Sequence, residues 1–430
     1  MSLITKKYIQ DLFDFIGVEF LQSNFYFFYS GENSRFYRLN HSQLRQATHV
    51  NQSELSILQK NGEDENNFSV QLTGSLETDS TLIKSILDGF AVFKTGEEQM
   101  VKDGENFNED KLLNVLFFDS LNKEVDVVGL ISDGKIQRGV ARGGASEFFW
   151  FETDRVDVDF SIFRDGRCVK EFYSEELISP EKFQKSINDN LQKLNILEGE
   201  KVELKPGKYQ AYFSPTAVNE ILSVFNWNGV QGKAIAEKQS VFMDLYEGKK
   251  AFSEKFTVRE NFNLELAPRF NQEAELADEV INIIEKGKLI NPLINSVTER
   301  KYGLKSNKAD NHESLRSTEI IEGEFTEEQL ISTLRNGIYI SNLHYLNWSN
   351  KKTASITGMT RYACYFIDEK GAKHPIKDMR FNMSLFDLFG DWLVSFSKES
   401  QIFCESNTYH KRSVGGAKVP GMLSSINFSL

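Results

Sequence analysis

The sequence predicts an α+β protein: an N-terminal α+β domain with an antiparallel sheet over residues 1–200, and a C-terminal, mainly antiparallel β domain with a few helices over 201–430. Three observations predict it. The chain has 430 residues, more than one ordinary core holds. It has 35 Phe and only 7 Pro, which suits broad packed sheets better than linkers. Alternating apolar and polar runs dominate both halves, and helical periodicity is confined to a few segments.

The elements follow in order. In residues 4–22 apolar Ile4, Tyr8, Leu12, Phe15, Ile16 and Phe20 recur at three- and four-residue spacing, the pattern of an amphipathic helix. Short strand-like runs follow at 24–30, 34–40, 55–61 and 68–76. Residues 78–94 read as a second helix, with Asp79 and Ser80 as caps. From 125 to 174 the pattern is strand, with hairpin turns expected at Asp133-Gly134 and Asp165-Gly166. Val156, Val158, Phe160 and Ile162 alternate with Asp157, Asp159, Ser161 and Phe163, the period of a half-buried strand. A helix over 178–195 has Pro180 near its first turn. The polar stretch 196–207, ending in Pro206-Gly207, marks the domain boundary. The second half opens with a strand at 208–214 and a helix from Pro215. Residues 274–287 read as strand or helix, because periodicity does not settle short apolar runs. Residues 318–380 read as β with a helix at 326–335. The acidic run Glu322–Glu328 reads as the solvated start of that helix, favoured by its dipole.

Composition excludes several functions. The formal charge of −12 argues against a nucleic-acid partner. No apolar run approaches the roughly 20 residues of a membrane helix, and the charged N-terminus lacks a signal-peptide core, so a cytoplasmic location is expected. Cys168, Cys364 and Cys404 are far apart and odd in number, which argues against a disulfide framework. The six histidines form no HExxH pair, and there is no CxxC, GxSxG elbow, P-loop or dinucleotide fingerprint. Gly143-Gly144 and Gly415-Gly416 read as turns. A long-range set such as His344, His374 and Cys364 stays open as a metal site. Cys404 reads as a buried small hydrophobe, or alternatively as a ligand or nucleophile with His410 six residues on.

Residues 206–391 carry a resemblance. The strand-then-helix segment 206–225, the segments 229–258 and 287–309, and above all 322–391 occur in the order of the C-terminal half of the TldD/PmbA family. Gly337-Ile338-Tyr339-Ile340, Thr357-Gly358, and Ile367 to Gly371 followed by His374-Pro375-Ile376 carry the match. The chain resembles that family, known also as modulators of DNA gyrase. TldD-type members carry HExxxH on the helix after the first strand, with a C-terminal Cys completing a zinc site. Here Glu220 and Val224 stand at the histidine positions, with the register open by about one residue, and no His lies anywhere in 50–311.

The resemblance therefore implies a zinc-free TldE (PmbA) type subunit. It would hold no cofactor itself and would pair with a zinc-bearing TldD-type metallopeptidase, as heterodimer or homodimer. Together they would enclose a cleft that accepts unfolded or leader peptides for proteolysis. Asn219, Glu220, Ser223, Val224 and Cys404 are the candidates for a vestigial metal pocket, or alternatively for a plain helix face and core. Tyr339, Asn342 and Trp348, with Tyr345, are the candidates for the cleft, or alternatively for core aromatics. Two further readings remain: a divergent metallopeptidase active as a homodimer, and a non-enzymatic regulatory binding protein.

Overall fold

The computed structural model describes residues 4–61, 64–89, 125–145, 147–404 and 412–429. The first half is built on one sheet. Its strands are β1 (Phe25–Asn40), β2 (Gln43–Asn61), β3 (Asp64–Gln71), β4 (Asp126–Arg142), β5 (Phe148–Arg164) and β6 (Arg167–Glu175). They lie in the order β3-β2-β1-β4-β5-β6, every pair antiparallel.

Two sequence expectations change here. The runs at 24–30 and 34–40 are one strand, because the polar residues between them stay paired on both sides: Gly31 lies opposite Ser53 and Gln137. The hairpin expected at Asp133-Gly134 does not form. Strand β4 runs straight through, with Asp133 opposite Arg35 and Val156 and Gly134 opposite Ser34 and Arg155. Gly134 has φ +131°, and a Cβ there would collide with the Asn33 carbonyl. The glycine serves close approach within a sheet, not a reversal. The chain reverses instead at Gly143-Gly144. The turn expected at Asp165-Gly166 is present, both residues left-handed at φ 48° and 74°, as a two-residue hairpin that follows the strand twist requires.

One face of this sheet is apolar and covered by helices. Helix α1 (Lys6–Ile16) starts at an N-cap, Thr5, and stops at Gly17, which takes the left-handed conformation and returns its N–H to Phe13 and Asp14. It packs with α2 (Leu76–Gly89) over Phe27, Tyr29, Leu55 and Ile57. Residues 90–94 of the expected second helix lie outside the described residues. Helix α3 (Pro180–Ile196), capped by Ser179, covers the other end through Phe183, Ile187 and Leu194 against Val158, Phe160 and Ile162. Tyr29 and Tyr37 are eight positions apart on one strand, so both helical packs sit on the same side. The middle of the opposite face is buried but polar: Glu32, Ser34, Ser132 and Asp157 are all at most 1% exposed.

The second half forms a 13-stranded sheet, mainly antiparallel. Strand β7 (Gly207–Phe213) leads into α4 (Pro215–Ser223). Next come α5 (Gly232–Ala236), α6 (Met243–Tyr246), β8 (Val258–Asn261), β9 (Val280–Glu285), β10 (Lys288–Leu289), α7 (Ser296–Tyr302), β11 (Ser317–Ile320) and α8 (Glu327–Thr333). Then follow β12 (Gly337–Ile340), β13 (Asn342–Asn350), β14 (Ser355–Arg361), β15 (Tyr365–Ile367), β16 (Lys373–Pro375), β17 (Arg380–Ser384), β18 (Ser395–Cys404) and β19 (Gly416–Phe428). The ambiguous stretch 274–287 holds a strand rather than a helix: residues 280–285 form β9. The main path runs β10-β9-β8-β11-β19-β7-β12-β15-β16, and only β11 with β19 and β7 with β12 run parallel. Many of the phenylalanines are in the core of this half: Phe225, Phe242, Phe252, Phe256 and Phe389 pack ring on ring, with Phe256 and Phe389 stacked at 4.3 Å.

The two halves meet through a polar latch. Arg412 donates from its side chain to Gly134 O and, at 2.6 Å, to Asp157. Its backbone N–H donates to the Glu32 carboxylate, and Arg138 donates to its carbonyl. The polar insert in β1 therefore exists to receive the C-terminal segment.

Candidate functional site

Where the halves meet, a cleft of about 1630 Å³ opens. One wall comes from the first half: β6, which is the last strand of its sheet, and α3. The other comes from the second half: Glu399 to Ile402 of β18, the start of α4, helix α8, and the ends of β12 and β15. Gln401 bridges the walls, its amide donating to the Phe172 carbonyl and, at 3.1 Å, to Glu171. Phe172 stacks on Phe403 at 5.7 Å.

The floor is a column of tyrosines set by strand register. Tyr339 of β12 lies opposite Tyr212 of β7 and Tyr365 of β15. Neighbouring strands bring such side chains within ring contact. The Tyr339 ring is 5.8 Å from that of Tyr212 and 4.7 Å from that of Tyr365, the latter pair stacked with nearly parallel planes. Tyr339 and Tyr365 line the cleft. Burial, then the carboxylate of Glu327, pushes the Tyr339 hydroxyl far above the usual phenol range. Lys193 of α3 lies with its ammonium 5.7 Å from the centre of the Tyr339 ring and 3.6 Å from Glu171. Burial works against the Lys193 charge, but Glu171 and Glu327 outweigh it and hold the ammonium protonated.

Glu327 begins α8, whose capping box joins Thr326 and Gln329. Its backbone N–H donates to Glu399 at 2.9 Å. Burial raises the Glu327 carboxyl pKa; Lys193 opposes the shift, while Glu171, Glu399 and Asp189 add to it. The acidic run is thus not uniformly solvated: Glu322, Glu324 and Glu328 are exposed, but Glu327 is half-buried in the cleft wall.

The residues singled out on the first helix of the second half divide. Its first turn, Ser214 to Thr216, lines the cleft, with Ser214 capping the helix and also donating to Ser341 O. Asn219 and Glu220 are half-buried one turn further on. The Glu220 carboxylate accepts the Leu343 N–H. Burial pushes its pKa up to about 7, against the pull of the Leu343 N–H, the Asn342 amide and the Lys170 charge. Ser223 is exposed and bonds to the Glu220 carbonyl at 2.7 Å. Val224 has no exposed surface and belongs to the apolar core.

Asn342 is buried beside Glu220 and accepts the Ser341 hydroxyl at 2.6 Å. Trp348 is half-buried, packs on the C-terminal core and donates its indole N–H to Trp227 O, and it is not among the residues lining the cleft. Tyr345 is exposed and meets the His344 ring. Cys404 sits 3.4 Å from Ser174 Oγ. Burial, and next the Asp157 charge, pushes its thiol up to about 12, so at neutral pH it is a protonated thiol and no nucleophile. His410 lies outside the described residues.

Among the described residues the histidines stay apart: His41 pairs with Asp126, His49 with Asn33, and His374 with Asp368. Among the described residues no three His, Cys, Asp or Glu side chains are grouped to hold a metal. What the cleft does offer is two strand edges, an aromatic floor and closely spaced charges of both signs. Lys193, Glu171 and Tyr365 were not singled out from sequence, and Glu327 stood out only as part of the acidic run. They come from separate elements that no motif links, and only β register and helix packing join them.

Residues 206–427 match the family described as PmbA/TldA metallopeptidase C-terminal domain. No curated protein matches the chain. Among solved structures, TldE from Thermococcus kodakarensis is similar with a TM-score of 0.70 at 13% identity, covering 98% of this chain and 99% of that one. A candidate modulator of DNA gyrase from Bacteroides thetaiotaomicron has a TM-score of 0.70 at 16% identity, covering 99% and 98%. Another from Thermotoga maritima has 0.68 at 15%, covering 99% and 100%. At these identities the likeness establishes the fold alone.

Proposed function

The chain belongs to the PmbA/TldD metallopeptidase family, and we propose that within it the chain is a zinc-free, TldE-type subunit. It pairs with a TldD-type metallopeptidase to form a peptide-accepting proteolytic complex, to which it brings the cleft between its own two halves. The observation that carries this is the helix after β7. The two histidines of HExxxH are five residues apart, which moves the first histidine position from Glu220 to Asn219 and makes Glu220 the glutamate: the segment reads Asn219-Glu220-Ile221-Leu222-Ser223-Val224. Asn219 then stands at one imidazole position and Val224 at the other, and Val224 is packed into the apolar core with no exposed surface. A zinc ion in a catalytic site takes three protein ligands. The thiol nearest in role, Cys404, is held neutral by burial, and it would have to ionise to bind metal.

The cleft supports the peptide half of the reading. Strand β6 is a sheet edge and lines it, and an extended peptide adds to such an edge through main-chain bonds with little sequence preference. The three free cysteines suit a reducing, cytoplasmic setting. No described helix is long and apolar enough to cross a membrane.

The test is to purify the full chain alone and together with an HExxxH-bearing family member. Expected are a stable complex, zinc only in the partner, and chelator-sensitive cleavage of unfolded peptides only by the pair. Stoichiometric zinc and chelator-sensitive cleavage by this chain alone would establish the homodimeric peptidase instead. Failure to associate would leave the regulatory binding protein.

A further inference from the structure

We propose that the cleft contains a subsite for a lysine side chain of the bound peptide, on the wall formed by Glu327, Glu171 and the hydroxyls of Tyr339 and Tyr365. This deepens the peptide-accepting reading above and rests on it.

The Glu327 carboxylate lines the cleft and, among the described residues, has neither an ion pair within 4 Å nor a hydrogen bond. Tyr339 and Tyr365 are only 1% and 3% exposed, yet both line the cleft and neither hydroxyl has a hydrogen-bond partner among the described residues. Three acceptors of this kind, one anionic, match the three N–H donors of a primary ammonium.

The wall already accommodates one such group. Lys193 places its ammonium between Glu171 and the face of the Tyr339 ring. Lys193 faces Glu171 and Glu327, and Glu327 in turn faces Glu399, so one cation stands among three carboxylates. Most of the other basic groups lining the cleft are engaged; Lys370 is the exception, with no side-chain partner among the described residues. Lys185 pairs with Asp189 at 2.6 Å, and Lys182 pairs with Glu175 at 2.6 Å. Arg335 donates to the Ser332 and Leu334 carbonyls, and Lys373 lies 5.5 Å from the centre of the Tyr365 ring. An aliphatic stem would lie along the aromatic floor while its charged end reaches Glu327.

The experiment uses the full chain and end-blocked short peptides of Ala, Gly and Ser that differ only in a central Lys, Gln or Glu. Dissociation constants come from calorimetry or fluorescence anisotropy. The Lys peptide should bind about tenfold tighter than the Gln peptide, the worth of a hydrogen-bonded charge in a partly buried site. Glu327→Gln should abolish most of that preference, and a circular-dichroism spectrum matching the parent chain's certifies that the variant is folded. Tyr339→Phe should reduce the preference in part. Equal binding of all three peptides, or tightest binding of the Glu peptide, overturns the subsite and leaves the peptide cleft standing. No binding of any peptide overturns both.

Discussion

Glu220 shows what a single buried carboxyl does to stability. Its folded pKa of about 7 exceeds the ordinary value of 4.5, so the fold prefers the protonated acid. The penalty for ionising it is absent at acid pH, grows as pH rises from about 4.5, and is complete above about 7. Glu220→Gln should therefore raise the melting temperature more at pH 8 than at pH 5, with a limit of about 3 kcal/mol at the higher pH. Equal shifts at both values would refute this. Gly421 is a second point of sensitivity, because a Cβ there would collide with the Tyr212 hydroxyl. Gly421→Ala should cost about 1–3 kcal/mol in urea unfolding. Tyr339 could be singled out from sequence because it stands in an alternating strand. The same alternation occurs at Trp348, which packs elsewhere, so alternation identifies a side chain's face and not the neighbours it meets.

Strand and helix identities were legible where the local pattern is also the structural cause. Helices α3 and α4 begin at Ser-Pro, the cap and first-turn pair, and the hairpin at Asp165-Gly166 uses two residues tolerant of left-handed backbone. Errors arose where a turn-like dipeptide serves a distant contact. Asp133-Gly134 has turn chemistry, yet Asp133 pairs with Arg35 and the Gly134 carbonyl accepts from Arg412. Likewise Asp157 reads as a solvent-facing position, but it is buried against Arg412. Breaking that pair leaves an uncompensated charge inside the protein. Arg412→Ala should destabilise the chain by about 3–5 kcal/mol, while Asp157→Val combined with Arg412→Leu should cost less than either single change. Chemical denaturation of the three variants decides it.

For the whole molecule, the decisive arrangement is that both halves contribute to the cleft. Neither β6 with α3 nor β18 with α8 makes a site alone. Gln401 crosses between them, so Gln401→Ala removes its bonds to Phe172 and Glu171 and should weaken peptide binding about fivefold while shifting stability by only about 1 kcal/mol. A binding assay paired with thermal melts checks both numbers. The overall charge of −12 spreads across a surface whose cleft is itself nearly balanced, so peptide affinity should depend weakly on bulk salt unless the peptide is charged.

The position of β19 bears on how the chain is made. Residues 416–428 lie at the centre of the larger sheet, bonded to β11, β7 and β18. The smaller sheet uses only residues 25–175 and can assemble on the ribosome as soon as those have emerged. The larger one must wait, its middle open, until translation has delivered the last strand. During that interval the nascent chain exposes an unfilled strand slot, which is where a chaperone would be expected to hold it.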